Sequence, residues 1–304
     1  MHAITPFRFA ASMALVLSVG ATQAQSPVVV SSKIDTEGSV LGQLIIQTLE
    51  ANDVPTENRL QLGTTSIVRG AIKAGEIDLY PEYTGNGAFF FDRADQPGWN
   101  VAETAYETVR DLDRERNDLV WLQPAPANNT WAMSVRRDLA EAEGLESLDD
   151  LADYLNDDGE FRFAASAEFV DSESALPAFQ SAYGFELTAE ELLVLSGGDT
   201  AATMRAAARS DNDVTGAMTY GTDGGVSALG LVVLDDNRGV QPVYQPSPVI
   251  RASVLEAYPS IADHLEPLFA ELDLETLQIL NARVAVEGQS ARAVASGFLE
   301  QLNR

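Results

Sequence analysis

The chain has 304 residues, 45% of them hydrophobic, with no cysteine and 46 acidic side chains against 19 basic ones, a formal net charge of -27. No basic patch survives in such a field, which excludes nucleic acid and anionic membrane surfaces as partners; the lack of cysteine excludes disulfides, thiolate metal sites, a cysteine nucleophile and a lipid on a junction cysteine. The acidity reads first as solvation of the surface in a salty habitat and second as attraction for a cationic ligand.

Residues 1–24 have the order of a cleavable secretory signal: Arg8 is the positive charge, Phe9 to Val19 the apolar run, and Thr22-Gln23-Ala24 surround the cleavage point. The run is too short to persist as a membrane span, so a periplasmic mature chain without a direct membrane anchor is expected. About 280 residues then remain, more than one hydrophobic core usually supports, and two lobes are expected.

Val28-Val29-Val30 predicts a first strand. The stripe Val40, Leu41, Leu44, Ile45 and Leu49 predicts a helix over 36–52, capped by Asp35 or Thr36. Arg59 to Leu62 reads as a strand, Thr65 to Ala74 as a helix stopped by Gly75, and Ile77 to Tyr80 as a third strand. That βαβαβ order implies a mostly parallel sheet with helices on its faces. A helix over 101–116 and a strand at Leu119 to Leu122 lead into Pro124-Ala125-Pro126-Ala127-Asn128-Asn129, which breaks regular structure and reads as a crossover. A second α/β unit follows. Its strands are expected near Trp131 to Val135, Phe161 to Ala165, Val214 to Thr219 and Leu231 to Leu234, and its helices at 147–155, 174–183 and 200–209, the first with a Ser147/Asp150 capping box. The proline-rich passage Gln241 to Pro248 suits a return crossover, and helices follow from Pro259, Leu274 and Ser290. Two crossings place residues 25–127 and 246–304 in one lobe and 128–245 in the other, with a ligand cleft between them.

Catalytic signatures are sparse. The only histidines are His2 and His264, the latter on a helix with a polar face, so neither a Ser-His-Asp triad nor a histidine zinc site is expected. Ser196-Gly197-Gly198-Asp199 precedes a helix without the lysine or spacing of a phosphate loop. Asp35 with Glu37, or Asp78 with Glu82, offers a carboxylate pair of the kind a hydrolase needs, but chance proximity is expected with so many acids. No metal and no cofactor is implied.

Several segments carry a resemblance: Ser32-Lys33-Ile34-Asp35-Thr36-Glu37, Asp78-Leu79-Tyr80-Pro81-Glu82-Tyr83-Thr84-Gly85-Asn86, Asn128-Asn129-Thr130-Trp131, Ala167-Glu168-Phe169, Tyr220-Gly221-Thr222-Asp223-Gly224 and Val243-Tyr244. In this order they resemble the glycine betaine/choline (quaternary amine osmoprotectant) binding proteins of ABC importers, closest to the branch with Tyr-Thr-Gly-Asn. The resemblance implies a type II, two-lobe periplasmic binding protein that hands its ligand to a membrane permease and its ATPase. It also implies an aromatic cage, which by motif position is Tyr83, Trp131, Tyr220 and Tyr244 here. A trimethylammonium has no N–H to donate, so ring faces must recognise it. Lys33 and Asn86 are the implied carboxylate contacts, with Thr36 a further candidate. Two departures stand out. Val170-Asp171-Ser172-Glu173 lacks an arginine that some relatives carry, and Trp131 stands where tyrosine is common. Two alternatives stay open: the same fold binding another small zwitterion such as an amino acid or ectoine, and, more remotely, a carboxylate-dependent hydrolase.

Overall fold

The computed structural model describes residue 1 and residues 26–195 and 200–302. The segment read as a signal, beyond Met1, and the stretch Ser196 to Asp199 lie outside the described residues. Ten strands are present among the described residues: β1 (Val28–Lys33), β2 (Thr56–Gly63), β3 (Leu79–Tyr83), β4 (Leu119–Trp121), β5 (Trp131–Arg136), β6 (Phe163–Ser166), β7 (Leu192–Leu195), β8 (Gly216–Tyr220), β9 (Leu231–Val233) and β10 (Pro246–Arg251). They form two five-stranded sheets, ordered β2-β1-β3-β10-β4 and β7-β6-β8-β5-β9. In each sheet four strands run one way and one runs against them, β10 in the first and β5 in the second.

Helices cover both faces of each sheet, as strands with this apolar content require. On one face of the first sheet, Leu41, Leu44 and Ile45 of the helix Thr36–Ala51 meet Val30, Leu79 and Ile250, with Leu277 and Phe298 from the C-terminal helices. On the other face Val68 and Ile72 of the helix Thr65–Ala74 pack with Tyr80, Trp121 and Val249. Each such side chain removed from water contributes about 2 kcal/mol, so these layers carry the fold. Asp35 is the cap of the first helix, accepting from the Gly38 N–H at 2.6 Å, and Gly75 ends the second at φ 75°. The Ser147/Asp150 capping box is formed. Among the described residues no helix is long and apolar enough to cross a membrane.

Two strands depart from the sequence reading. β10 begins at Pro246, inside the passage read as a crossover to Pro248. Prolines ordinarily argue against an inner strand. Here Pro246 and Pro248 lie where β10 runs past the end of β4, and their carbonyls accept from the Ala125 and Leu122 N–H groups. β7 is a four-residue leucine-rich run at a sheet edge, too short for periodicity to separate strand from helix.

The helix Leu274–Ala285, in the C-terminal segment, bridges the two units. It packs on the first helix and also on the short helix Gly224–Ala228, which follows β8. Gln278 Nε2 donates to the Gly221 carbonyl at 2.7 Å and Asn281 Nδ2 to the Thr222 carbonyl at 2.9 Å. A Cβ on Gly224 would lie 2.3 Å from the Ala282 nitrogen, so only glycine permits this approach. Gly224→Ala is expected to lower stability by about 2 kcal/mol in urea unfolding through overpacking against backbone. Gly70→Ala, in an exposed helical position with nothing within 4 Å of the added carbon, is expected to raise it by about 0.5–1 kcal/mol.

Candidate functional site

The two reversed strands decide where the aromatic residues lie. β5 starts at Trp131, directly opposite Tyr220, the last residue of β8. β10 starts at Pro246, opposite Tyr83, the last residue of β3, and Tyr244 lies two residues before it. All four rings therefore come from the same edge of the sheets, where the parallel strands end. The crossovers that precede the reversed strands are bonded to each other: the Tyr244 N–H donates to Asn128 Oδ1 at 2.8 Å, and the Asn129 N–H donates to the Tyr244 carbonyl at 3.0 Å. Thr84 pins the second crossover through its hydroxyl to the Val243 carbonyl at 3.0 Å.

Tyr83, Trp131, Tyr220 and Tyr244 line one cavity of about 720 Å³, together with Lys33 and Asn86. Thr36 does not line it. That residue borders an adjoining cavity of about 670 Å³, which shares Asp35, Asn129 and Tyr220 with the first. The Trp131 and Tyr220 rings are 6.5 Å apart and tilted by 32°, and Phe169 packs edge-on against Trp131 at 5.8 Å, fixing the indole from behind. Tyr244 lies against Gly85, where a Cβ would come within 2.8 Å of its ring. Tyr83 is buried. The Lys33 ammonium stands over its ring at 4.3 Å, so one ring position is already engaged by a cation of the protein.

Lys33, at the end of β1, is ion-paired to Glu82, a carboxylate with no exposed surface. Glu82 also accepts from Asn86 Nδ2 at 2.7 Å, the Tyr83 N–H at 2.7 Å and the Tyr80 hydroxyl at 3.2 Å. The helix N-terminus next to Lys33 has Asp35 as its own anion. The remaining charged groups on the larger cavity wall are Asp35 and Glu168, so its electrostatics favour a cation away from the Lys33 end.

Sequence reasoning treated Glu37 only as half of a carboxylate pair, but it is the polar node beneath the site. It accepts from the Tyr83 hydroxyl at 2.6 Å, Asn281 Nδ2 at 2.7 Å and Asn129 Nδ2 at 3.2 Å, which joins the first helix, β3, the first crossover and the C-terminal bridge. Burial raises its pKa, while hydrogen bonds from Thr222, Tyr83 and Asn281 oppose that rise. Burial also raises the Tyr83, Tyr220 and Tyr244 phenols, so their rings stay uncharged. Gln241, Ser172 and Ser174 line the cavity too and have no sequence signal of their own.

The acids offered as hydrolytic pairs have structural work. Asp78 accepts from the Val29 N–H at 3.0 Å and pairs with Arg251 at 3.0 Å, at the opposite end of β3 from Glu82. Asp35 is a helix cap. Among the described residues no group of three or more His, Cys, Asp or Glu side chains is arranged to hold a metal ion.

Comparison with known proteins agrees with this architecture. Residues 26–301 match the family described as the substrate binding domain of ABC-type glycine betaine transport systems. The chain is 58% identical over 279 residues to the glycine betaine-binding protein YehZ of Escherichia coli, covering 92% of each chain. It is 30% identical over 278 residues to a glycine-betaine-binding protein of Pseudomonas aeruginosa, covering 90% of this chain and 86% of that one. The solved apo structure of the Escherichia coli YehZ protein superposes with a TM-score of 0.89, covering 91% of this chain and 98% of that one. These relatives are substrate-binding transport proteins, and the two-sheet architecture is that of a type II periplasmic binding protein.

The Tyr83–Glu37 contact makes stability depend on pH. A carboxyl whose folded-state pKa is raised contributes stability that is fully present below its ordinary value of 4.5 and is lost as pH rises through the folded value. Tyr83→Phe removes a donor from the ionised form and raises that pKa further. The variant is expected to lose about 2 kcal/mol at pH 8 and less near pH 5, measured by urea unfolding against the parent chain. An equal loss at both pH values would refute the assignment.

Proposed function

The chain belongs to the substrate-binding family of ABC-type glycine betaine transport systems, and on that premise we propose that it carries a glycine-betaine-like quaternary amine in the cleft between its sheets. In this reading residues 1–24 are removed on export, the mature protein works in the periplasm, and the loaded form docks on a membrane permease with its ATPase. One lobe comprises 25–127 and 246–304, the other 128–245, and opening and closing turn on the two crossovers.

The observation that supports the ligand class is the convergence of Tyr83, Trp131, Tyr220 and Tyr244 on one cavity with Lys33 and Asn86 at one end. Rings attract a trimethylammonium through apolar contact and their quadrupoles, where hydrogen-bond acceptors gain nothing. The lysine and asparagine supply N–H donors for a carboxylate at the other end. Thr36 borders the adjoining cavity and serves as an outer contact. A second reading, a zwitterion with an ordinary ammonium such as an amino acid or ectoine, draws on Asp35 and Glu168, which line the same cavity and accept N–H bonds.

Titration calorimetry with glycine betaine, proline betaine, choline and carnitine is expected to give heat for at least one of them, accompanied by a change in Trp131 fluorescence that Trp131→Phe abolishes. Tyr244→Ala is expected to weaken that ligand about tenfold through loss of a ring face. Silence of the whole panel at millimolar ligand, with heat from amino acids or ectoine instead, would transfer the function to the second reading.

A further inference from the structure

The Lys33 end of the cavity is electrically different from what a lone lysine suggests. Glu82 has no exposed surface, and every group that reaches it is a donor: the Lys33 ammonium, the Asn86 amide, the Tyr83 N–H and the Tyr80 hydroxyl. Three of them, the ammonium included, converge on Oε1 and the Tyr80 hydroxyl reaches Oε2, so the carboxylate is held chiefly through the oxygen that Lys33 and Asn86 share. Arg69, which interacts with the Tyr80 hydroxyl, is itself matched by Asp113, which also accepts from the Trp121 indole at 2.7 Å. Arg69 therefore brings no unmatched positive charge to Glu82. Two of the side chains it holds, Lys33 and Asn86, also line the cavity.

We infer that Glu82 is the positioning and specificity-determining residue of this end: it fixes Lys33 and Asn86 and cancels the lysine's charge, so a ligand carboxylate meets N–H donors without a net positive field. The inference rests on the quaternary-amine reading given above. Glutamine is the informative replacement. Its oxygen still accepts from Lys33, Asn86 and the Tyr83 N–H, and its amide donates to the Tyr80 hydroxyl, while the lysine's charge is released.

The test is calorimetry of glycine betaine and choline, which share the trimethylammonium but differ in the carboxylate, on the parent chain, Glu82→Gln and the double variant Lys33→Gln/Glu82→Gln. Glu82→Gln is expected to raise the preference for glycine betaine over choline about tenfold, since one unit of positive charge is exposed near the carboxylate. The double variant removes both charges while keeping an N–H donor at position 33, and is expected to hold the preference within about threefold of the parent. An unchanged ratio in Glu82→Gln, or equal weakening of both ligands, would reduce Glu82 to a purely structural role and overturn the inference. If Glu82→Gln does not fold, the double variant decides, because a fall of more than about threefold in glycine betaine preference there would mean that Lys33 acts as a free charge in the parent and would overturn the inference. Failure of the parent chain to bind either ligand would strike the quaternary-amine reading itself, a result separable from any change of ratio.

Discussion

Each crossover delivers the chain to the edge of a sheet where the parallel strands end, and the strand that follows has no direction available but the opposite one. This constraint organises the molecule. β5 and β10 both start at that edge and both are inner strands, bonded on two sides. Their first residues are thereby paired with the last residues of β8 and β3. An aromatic residue at the start of a reversed strand and another at the end of its neighbour must stand side by side, as Trp131 and Tyr220 do. The ring cluster is thus a product of strand direction before it is a product of ligand chemistry.

Charge is arranged around that edge in matched units. Lys33 with Glu82 and Arg69 with Asp113 are buried pairs in which each oxygen also serves neighbouring donors. Burying such ions is tolerable only when they are matched and hydrogen-bonded. Glu37 is the exception: among the described residues its hydrogen bonds come from the neutral donors Tyr83, Asn129 and Asn281. Its position at the meeting of the first helix, the first crossover and the C-terminal bridge links the polar interior to the contact between the two units.

Much of the fold is legible along the chain because helix periodicity and caps are local. The helices Thr65–Ala74 and Thr200–Arg209 have the bounds that their apolar spacing and end signals predict. β10 was hidden by its prolines, which count against an inner strand unless it is known that β4 stops short of them. Six of the residues that line the cavity of about 720 Å³ were reachable through family motifs, whereas their electrostatic state was not. Lys33 and Glu82 are 49 positions apart, and nothing in either segment says that one neutralises the other. Thr36 illustrates the opposite limit: one helical position from Asp35 was enough to turn it into the neighbouring cavity. The bridge from Leu274–Ala285 to Gly224 was equally invisible, since it depends on the absence of a side chain at one residue.

The placement of β10 also sets an order of assembly. Strands β5 to β9 lie between residues 131 and 233, so the second sheet can close from a continuous stretch of chain. The first sheet cannot: β3 and β4 are joined only through β10, which begins 125 residues after Trp121 closes β4. Until that late segment docks, β3 and β4 each present an open edge, and the loop that must be closed to cover them contains the whole of the other unit. Such closure is entropically slow and leaves sticky edges exposed meanwhile. Folding speed and the hazard of aggregation in this protein are therefore governed by the arrival of a six-residue strand with two prolines.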